Sequence, residues 1–171
     1  MNVTEAVHLI QDIGFINSKP CVWADLGCGS GTFTKALATL LPSQSTVYAV
    51  DENRNTIDDY AGVSIENVRL NFETEPLPFY TLDGILMANS LHFVKDKIEL
   101  LQKLKSHVTQ NSQFLIVEYE IKTTNPWVPF PLPYGLVKQL FSDIGFNTSQ
   151  YLGDRDSIYS TGKMYACVVS A

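Results

Sequence analysis

Basic residues are scarce in this chain: 12 Lys and Arg stand against 18 Asp and Glu, for a net charge of -6 over 171 residues. Proteins that bind nucleic acid by neutralising phosphates show a basic footprint, so a nucleic-acid partner is not expected. The one lysine cluster, Lys95, Lys97, Lys103 and Lys105, is interleaved with Asp96 and Glu99, as on a solvated helix face. Metal-ligand spacing is also missing. His8, His92 and His107 are scattered, and Cys21, Cys28 and Cys167 form no C-x-x-C pair, so no metal is expected and the thiols read as buried and reduced. No positive residue precedes Lys19 and no apolar run approaches a membrane span, which leads to the expectation of a soluble, cytoplasmic protein. Repeats and low-complexity tails are absent too, and one domain over 1–171 is expected, with residues 1–18 as a leading helix and turn and 19–171 as the core.

What is present is an alternation of apolar patterns. Val3, Val7, Ile10 and Ile13 have helical spacing and predict a helix over 3–13, followed by turn residues Asn17, Ser18 and Pro20. Residues 21–24 form a continuous apolar run, the pattern of a strand covered on both faces. Phe33, Ala36, Leu37, Leu40 and Leu41 predict a helix ending before Pro42, and residues 46–50 a second strand ending at Asp51. A short helix is expected within 53–67, a third strand over 68–70, a fourth over 82–88, a helix over 95–108 and a fifth strand over 114–117. A proline- and aromatic-rich loop over 121–134 precedes a helix over 136–144 and two last strands near 147–152 and 164–170, whose short connection favours antiparallel pairing. Alternating strands and helices indicate an open, mostly parallel, doubly wound α/β sheet with helices on both faces.

The chemistry concentrates at the first strand's end, in Asp25-Leu26-Gly27-Cys28-Gly29-Ser30-Gly31. Three glycines permit a sharp turn and close approach of a ligand to bare backbone, and the helix N-terminus behind them offers free N–H groups. Asp51, at the tip of the second strand, can accept hydrogen bonds from both hydroxyls of a ribose. The glycines are spaced G-x-G-x-G, not the G-x-G-x-x-G of dinucleotide sites, which disfavours a nucleotide-dependent oxidoreductase.

With Asp25 before the glycines and Asp51 after them, the sequence resembles the class I S-adenosylmethionine-dependent methyltransferase family from about Trp23 to the C-terminus. The resemblance implies a Rossmann-like seven-stranded sheet with a C-terminal antiparallel hairpin. Residues 22–31 are similar to the family's first motif, holding the methionine part of the cofactor through Asp25, Gly27, Cys28, Gly29, Ser30 and Gly31. Asp51 and Glu52 would hold the ribose, and Asn71 and Phe72 stand where many members carry an aspartate beside the adenine. Residues 83–94, DGILMANSLHFV, look like the fourth-strand motif, which places Asn89 with the cofactor set and turns Ser90 and His92 toward the acceptor. His92 and Glu118 are the candidate bases, and Tyr119 and Trp127 candidate walls for a small, partly apolar methyl acceptor. The loop of Trp127 reads equally as a fold-back against the sheet or a homodimer contact. A cofactor-binding regulatory subunit without catalysis, and methyl transfer to a protein, stay open.

Overall fold

The computed structural model describes residues 1–14, 19–157 and 162–171. The expected turn at Asn17 and Ser18 lies outside the described residues. One seven-stranded sheet runs through the molecule in the order β3-β2-β1-β4-β5-β7-β6. Its strands are β1 (Val22–Leu26), β2 (Thr46–Asp51), β3 (Ser64–Arg69), β4 (Leu82–Ala88), β5 (Val108–Tyr119), β6 (Thr148–Asp156) and β7 (Lys163–Ser170). β1 to β5 are parallel, whereas β7 is antiparallel to both β5 and β6, so the expected hairpin closes the sheet.

The helices divide between the faces as the strand alternation dictates. Helices α1 (Val3–Ile10) and α2 (Thr32–Leu40) cover Trp23, Val47, Leu86, Leu115 and Val117. Helices α3 (Lys97–Lys105) and α4 (Tyr134–Asp143) cover Ala24, Val50, Ile85, Met87, Phe114 and Ile116 on the other. A capping box between Asn2 and Glu5 starts α1, which stops at Ile10, short of the 3–13 expected.

The helix expected within 53–67 does not form. Asn67 donates through Nδ2 to the Ile57 carbonyl and accepts the Ile57 N–H at Oδ1, and Asp59 accepts the Ile65 N–H. These side chains offer the backbone partners that a helix would otherwise supply, and the segment forms an irregular loop ending in a tight turn at Ala61 and Gly62. Residues 52–63 and 70–81 therefore cross between parallel strands without helices, each near the minimum of about a dozen residues for such a crossover. β5 is longer than its apolar run predicts, because Val108 already pairs with Leu82 and the Ser112 hydroxyl donates to the Leu82 carbonyl across a bulge.

Candidate functional site

The chain leaves β1 in one direction toward β2 and β3 and returns to β4 on β1's other side, so strand order reverses between β1 and β4. A crevice opens at the carboxyl ends of two strands at such a point, where open α/β sheets bind ligands. Here it is formed by Gly27 after β1 and by Asn89 and Ser90 after β4, and two cavities meet there.

The first cavity, of ≈ 290 Å³, lies between Gly27, the β2 tip and the loop after β3. Asp51, Glu52 and Glu73 face it, and no lysine or arginine lines it. Leu70, Phe72, Phe93 and Val94 supply its apolar walls. Gly27 has φ +83°, and a Cβ there would sit 2.6 Å from Ser90 Cβ and 3.6 Å from the Phe72 ring. Glycine is thus required both by the left-handed turn and by the closeness of β4. Lys103 of α3 fixes the wall by donating to the carbonyls of Phe72 and Glu75.

The glycine turn differs from expectation in where its amides point. Gly27 and Cys28 donate to the Val50 carbonyl, Gly29 donates to Asp51 Oδ2 at 2.9 Å, and Gly31 donates to the Cys28 carbonyl. The turn is therefore largely a brace between β1 and β2, and the N–H groups at the helical start from Thr32 are those without intrahelical partners. Asp51 also accepts from the backbone and side chain of Asn53, so its carboxylate is held rigidly while facing the cavity. Gly29 and Ser30 are exposed, and Cys28 is buried with its thiol pushed up to about 12 by desolvation and by the charges of Asp25 and Asp51.

Asp25 lies behind the turn, buried, and does not line either cavity. Thr34 of α2 donates to its Oδ2 at 2.6 Å, while Oδ1 has no hydrogen-bond partner among the described residues. Burial, reinforced by the charge of Asp51, raises its carboxyl to about 7 against the opposing Thr34 bond.

Asn71 reaches the first cavity, yet its Oδ1 accepts from Glu73 and Thr74 to cap the following turn, and its Nδ2 points to Glu52 at 3.3 Å. Ser90 also lines this cavity and not the second, and its hydroxyl donates to the Leu26 carbonyl at 2.6 Å, tying β4 to β1. Asn71 and Ser90 are thus both engaged within the chain while lining the first cavity.

The second cavity, of ≈ 390 Å³, is lined by His92, Phe93, Tyr119, Trp127, Val128 and the two amides Asn89 and Asn125. Asn89 and Phe93 line both cavities, so the two spaces adjoin. Asn89 holds a left-handed φ of 55°, uncommon outside glycine, and its buried Oδ1 has no partner among the described residues.

Under this cavity His92 and Glu118 form a buried pair. Nδ1 of His92 lies 2.6 Å from Glu118 Oε2, and the His92 backbone N–H donates to Oε1 at 3.0 Å. Glu118 is 0% exposed and outside the lining, while His92 is on it. A carboxylate on Nδ1 holds the proton there and leaves Nε2 as the accepting nitrogen. The imidazole leans on Phe93 and Tyr119, with ring centroids 4.3 and 5.8 Å away, and the His92 carbonyl accepts the Phe130 N–H from the proline-rich loop.

Sequence reasoning missed Asn53, Leu70 and Glu73 in the first cavity; Asn125 and Val128 in the second belong to the proline-rich loop, of which only Trp127 was singled out. Phe93 was legible only as the residue after His92. Its exposure of 56% at a helical turn full of buried neighbours was the clue that required coordinates.

Comparison with known proteins agrees with this geometry. A family model described as a methyltransferase domain matches residues 24–114. Over 112 residues the chain is 30% identical to the ubiquinone/menaquinone biosynthesis C-methyltransferase of Hahella chejuensis (strain KCTC 2396), covering 61% of this chain and 45% of that enzyme. The match thus spans less than half the length of that relative. A SAM-dependent methyltransferase from Aquifex aeolicus superposes with TM-score 0.67 at 16% identity, covering 100% of both chains. The Burkholderia thailandensis 1,6-didemethyltoxoflavin-N1-methyltransferase, solved with bound 1,6-didemethyltoxoflavin and S-adenosylhomocysteine, gives TM-score 0.66 at 16% identity over 98% of this chain and 76% of that one. At these identities the two structures share the fold.

Proposed function

Because this chain belongs to the methyltransferase domain family, we propose that it binds S-adenosylmethionine in the acid-lined cavity and transfers a methyl group to a small-molecule acceptor in the adjoining one. The observation that carries the reading is the contrast between the cavities. The first carries Asp51, Glu52 and Glu73 without a basic residue, which suits a ligand of net positive charge and opposes the pyrophosphate of a dinucleotide. Asp51 and Glu52 would hold the ribose, and Phe72 would cover the adenine. Asp25 would act at second hand, through the turn and through Thr34.

When bound, the cofactor supplies a methyl carbon on a sulfonium, which passes to a nucleophile while the C–S electron pair stays on sulfur. The chain's own residues align and deprotonate. Phe93 and Asn89 stand where the two ligands meet and fix their relative position. His92 Nε2 takes the acceptor's proton, and Glu118 keeps the imidazole in the tautomer and orientation that this requires. This pair is what favours an enzyme over a cofactor-binding subunit, since a module that only bound the cofactor would have no use for an oriented imidazole in the second cavity. The described residues form one sheet bearing both cavities, in keeping with a single methyltransferase domain. Among them no helix is long and apolar enough to cross a membrane.

Calorimetry with S-adenosylmethionine, S-adenosylhomocysteine, NAD and NADP tests the reading. We expect the two adenosyl compounds to bind at micromolar concentration and the nucleotides not to bind. Preference for NAD would overturn it.

A further inference from the structure

Resting on the reading of the second cavity as the acceptor site, we infer that the acceptor is a flat, uncharged, conjugated ring compound, clamped between Trp127 and Phe93. Four of the side chains around this space are flat rings, His92, Phe93, Tyr119 and Trp127. The remaining polar groups are the neutral amides of Asn89 and Asn125, with no lysine, arginine, aspartate or glutamate on the lining. An acceptor bearing a carboxylate or phosphate would lose its hydration there with no counter-charge on the lining, whereas a conjugated face can stack on the aromatic side chains. The volume of ≈ 390 Å³ is within the range of small-ligand sites.

Trp127 is built for this role. Its indole is 75% exposed, so its apolar area is still available to a ligand. Its backbone is nonetheless fixed, since Asn125 Oδ1 accepts from the N–H groups of both Trp127 and Val128, each at 2.9 Å. Reciprocal backbone bonds between Asn125 and Val128 close the turn, and Val128 is buried as its anchor. Holding the turn before the ligand arrives removes part of the ordering cost of binding. A proton on the ring's hydroxyl, ring nitrogen or acidic carbon would pass to His92 Nε2, leaving the electron pair on that atom for the new bond to the methyl carbon.

The chain has two tryptophans, Trp23 buried in the sheet and Trp127 exposed, which gives two indole N–H signals in a nitrogen-15 correlation spectrum. The test titrates 1-naphthol, its saturated counterpart decahydro-1-naphthol and the anion 1-naphthoate into protein saturated with S-adenosylhomocysteine, reading calorimetry and both signals. Trp127→Phe assigns the exposed signal. We expect 1-naphthol to bind at least tenfold more tightly than either comparator and to move the Trp127 signal while leaving that of Trp23 in place. Trp127→Ala should weaken 1-naphthol at least tenfold, Trp127→Phe by no more than about threefold, with S-adenosylhomocysteine affinity unchanged in both. Equal binding of the saturated alcohol, preference for the anion, or a Trp127 signal that does not move would overturn the inference while S-adenosylhomocysteine still binds. Failure of S-adenosylhomocysteine itself to bind would instead sink the underlying reading, and this inference with it.

Discussion

Replacing Asp25 by asparagine should make the stability of the fold less dependent on pH, and the size of the effect follows from the site. The carboxyl is 1% exposed, and burial lifts it from its ordinary 3.8 to about 7. The folded chain therefore holds this proton more tightly than the unfolded chain does, and between about pH 4 and pH 7 folding free energy is lost as pH rises. Each pH unit in that window is worth about 1.4 kcal/mol, so the ionised carboxylate costs the fold about 4 kcal/mol once the pH is above 7. Asparagine keeps an acceptor for the Thr34 hydroxyl but introduces a buried NH2 without a partner, a fixed cost of about 1–3 kcal/mol at every pH. The informative quantity is thus the change in the difference between variant and parent. It should move in the variant's favour by about 3 kcal/mol from pH 5 to pH 8. Urea unfolding followed through the fluorescence of buried Trp23 at a series of pH values measures it. A difference constant to within about 0.5 kcal/mol across that range would show that Asp25 does not resist ionisation, and the argument would fail.

Two further outcomes follow from specific contacts. Gly84 faces Trp23 across β1 and β4, and a Cβ there would lie 2.4 Å from the indole carbons, so Gly84→Ala should cost about 3 kcal/mol by overpacking in urea unfolding, with part regained on adding Trp23→Leu. His92→Gln should lower turnover of any acceptor about 10²–10⁴-fold while leaving calorimetric S-adenosylhomocysteine affinity within about threefold, and Glu118→Gln should lower turnover less and alter its pH profile. Unchanged turnover in both variants would remove proton abstraction from the mechanism.

The core of this fold was legible where one physical effect dominated the local sequence. An apolar run, three glycines and a helical stripe between residues 21 and 41 lead to β1, the turn and α2 without reference to the rest of the chain. The segment 53–67 was misread because Ile57, Tyr60 and Val63 suggest a helical stripe, while the bonds that decide the matter come from Asn67 and Asp59 to backbone several residues away. The amides of the glycine turn were expected to face a ligand. Their engagement by Val50 and Asp51 depends on β2 lying beside β1, which spacing does not reveal. Likewise His92 and Glu118 could each be named as bases from their positions at strand ends. That they form one unit, with Glu118 sealed beneath His92, is a product of β4 lying beside β5 and of the side-chain geometry at that edge.

The shared boundary of the two cavities has a thermodynamic consequence. Asn89 and Phe93 border both spaces, so an occupant of one alters the walls seen by the other. Whatever factor the sulfur-containing ligand imposes on acceptor affinity, the acceptor must return to that ligand in equal measure. On the proposed reading, the coupling between cofactor and acceptor would run through two side chains, Asn89 and Phe93.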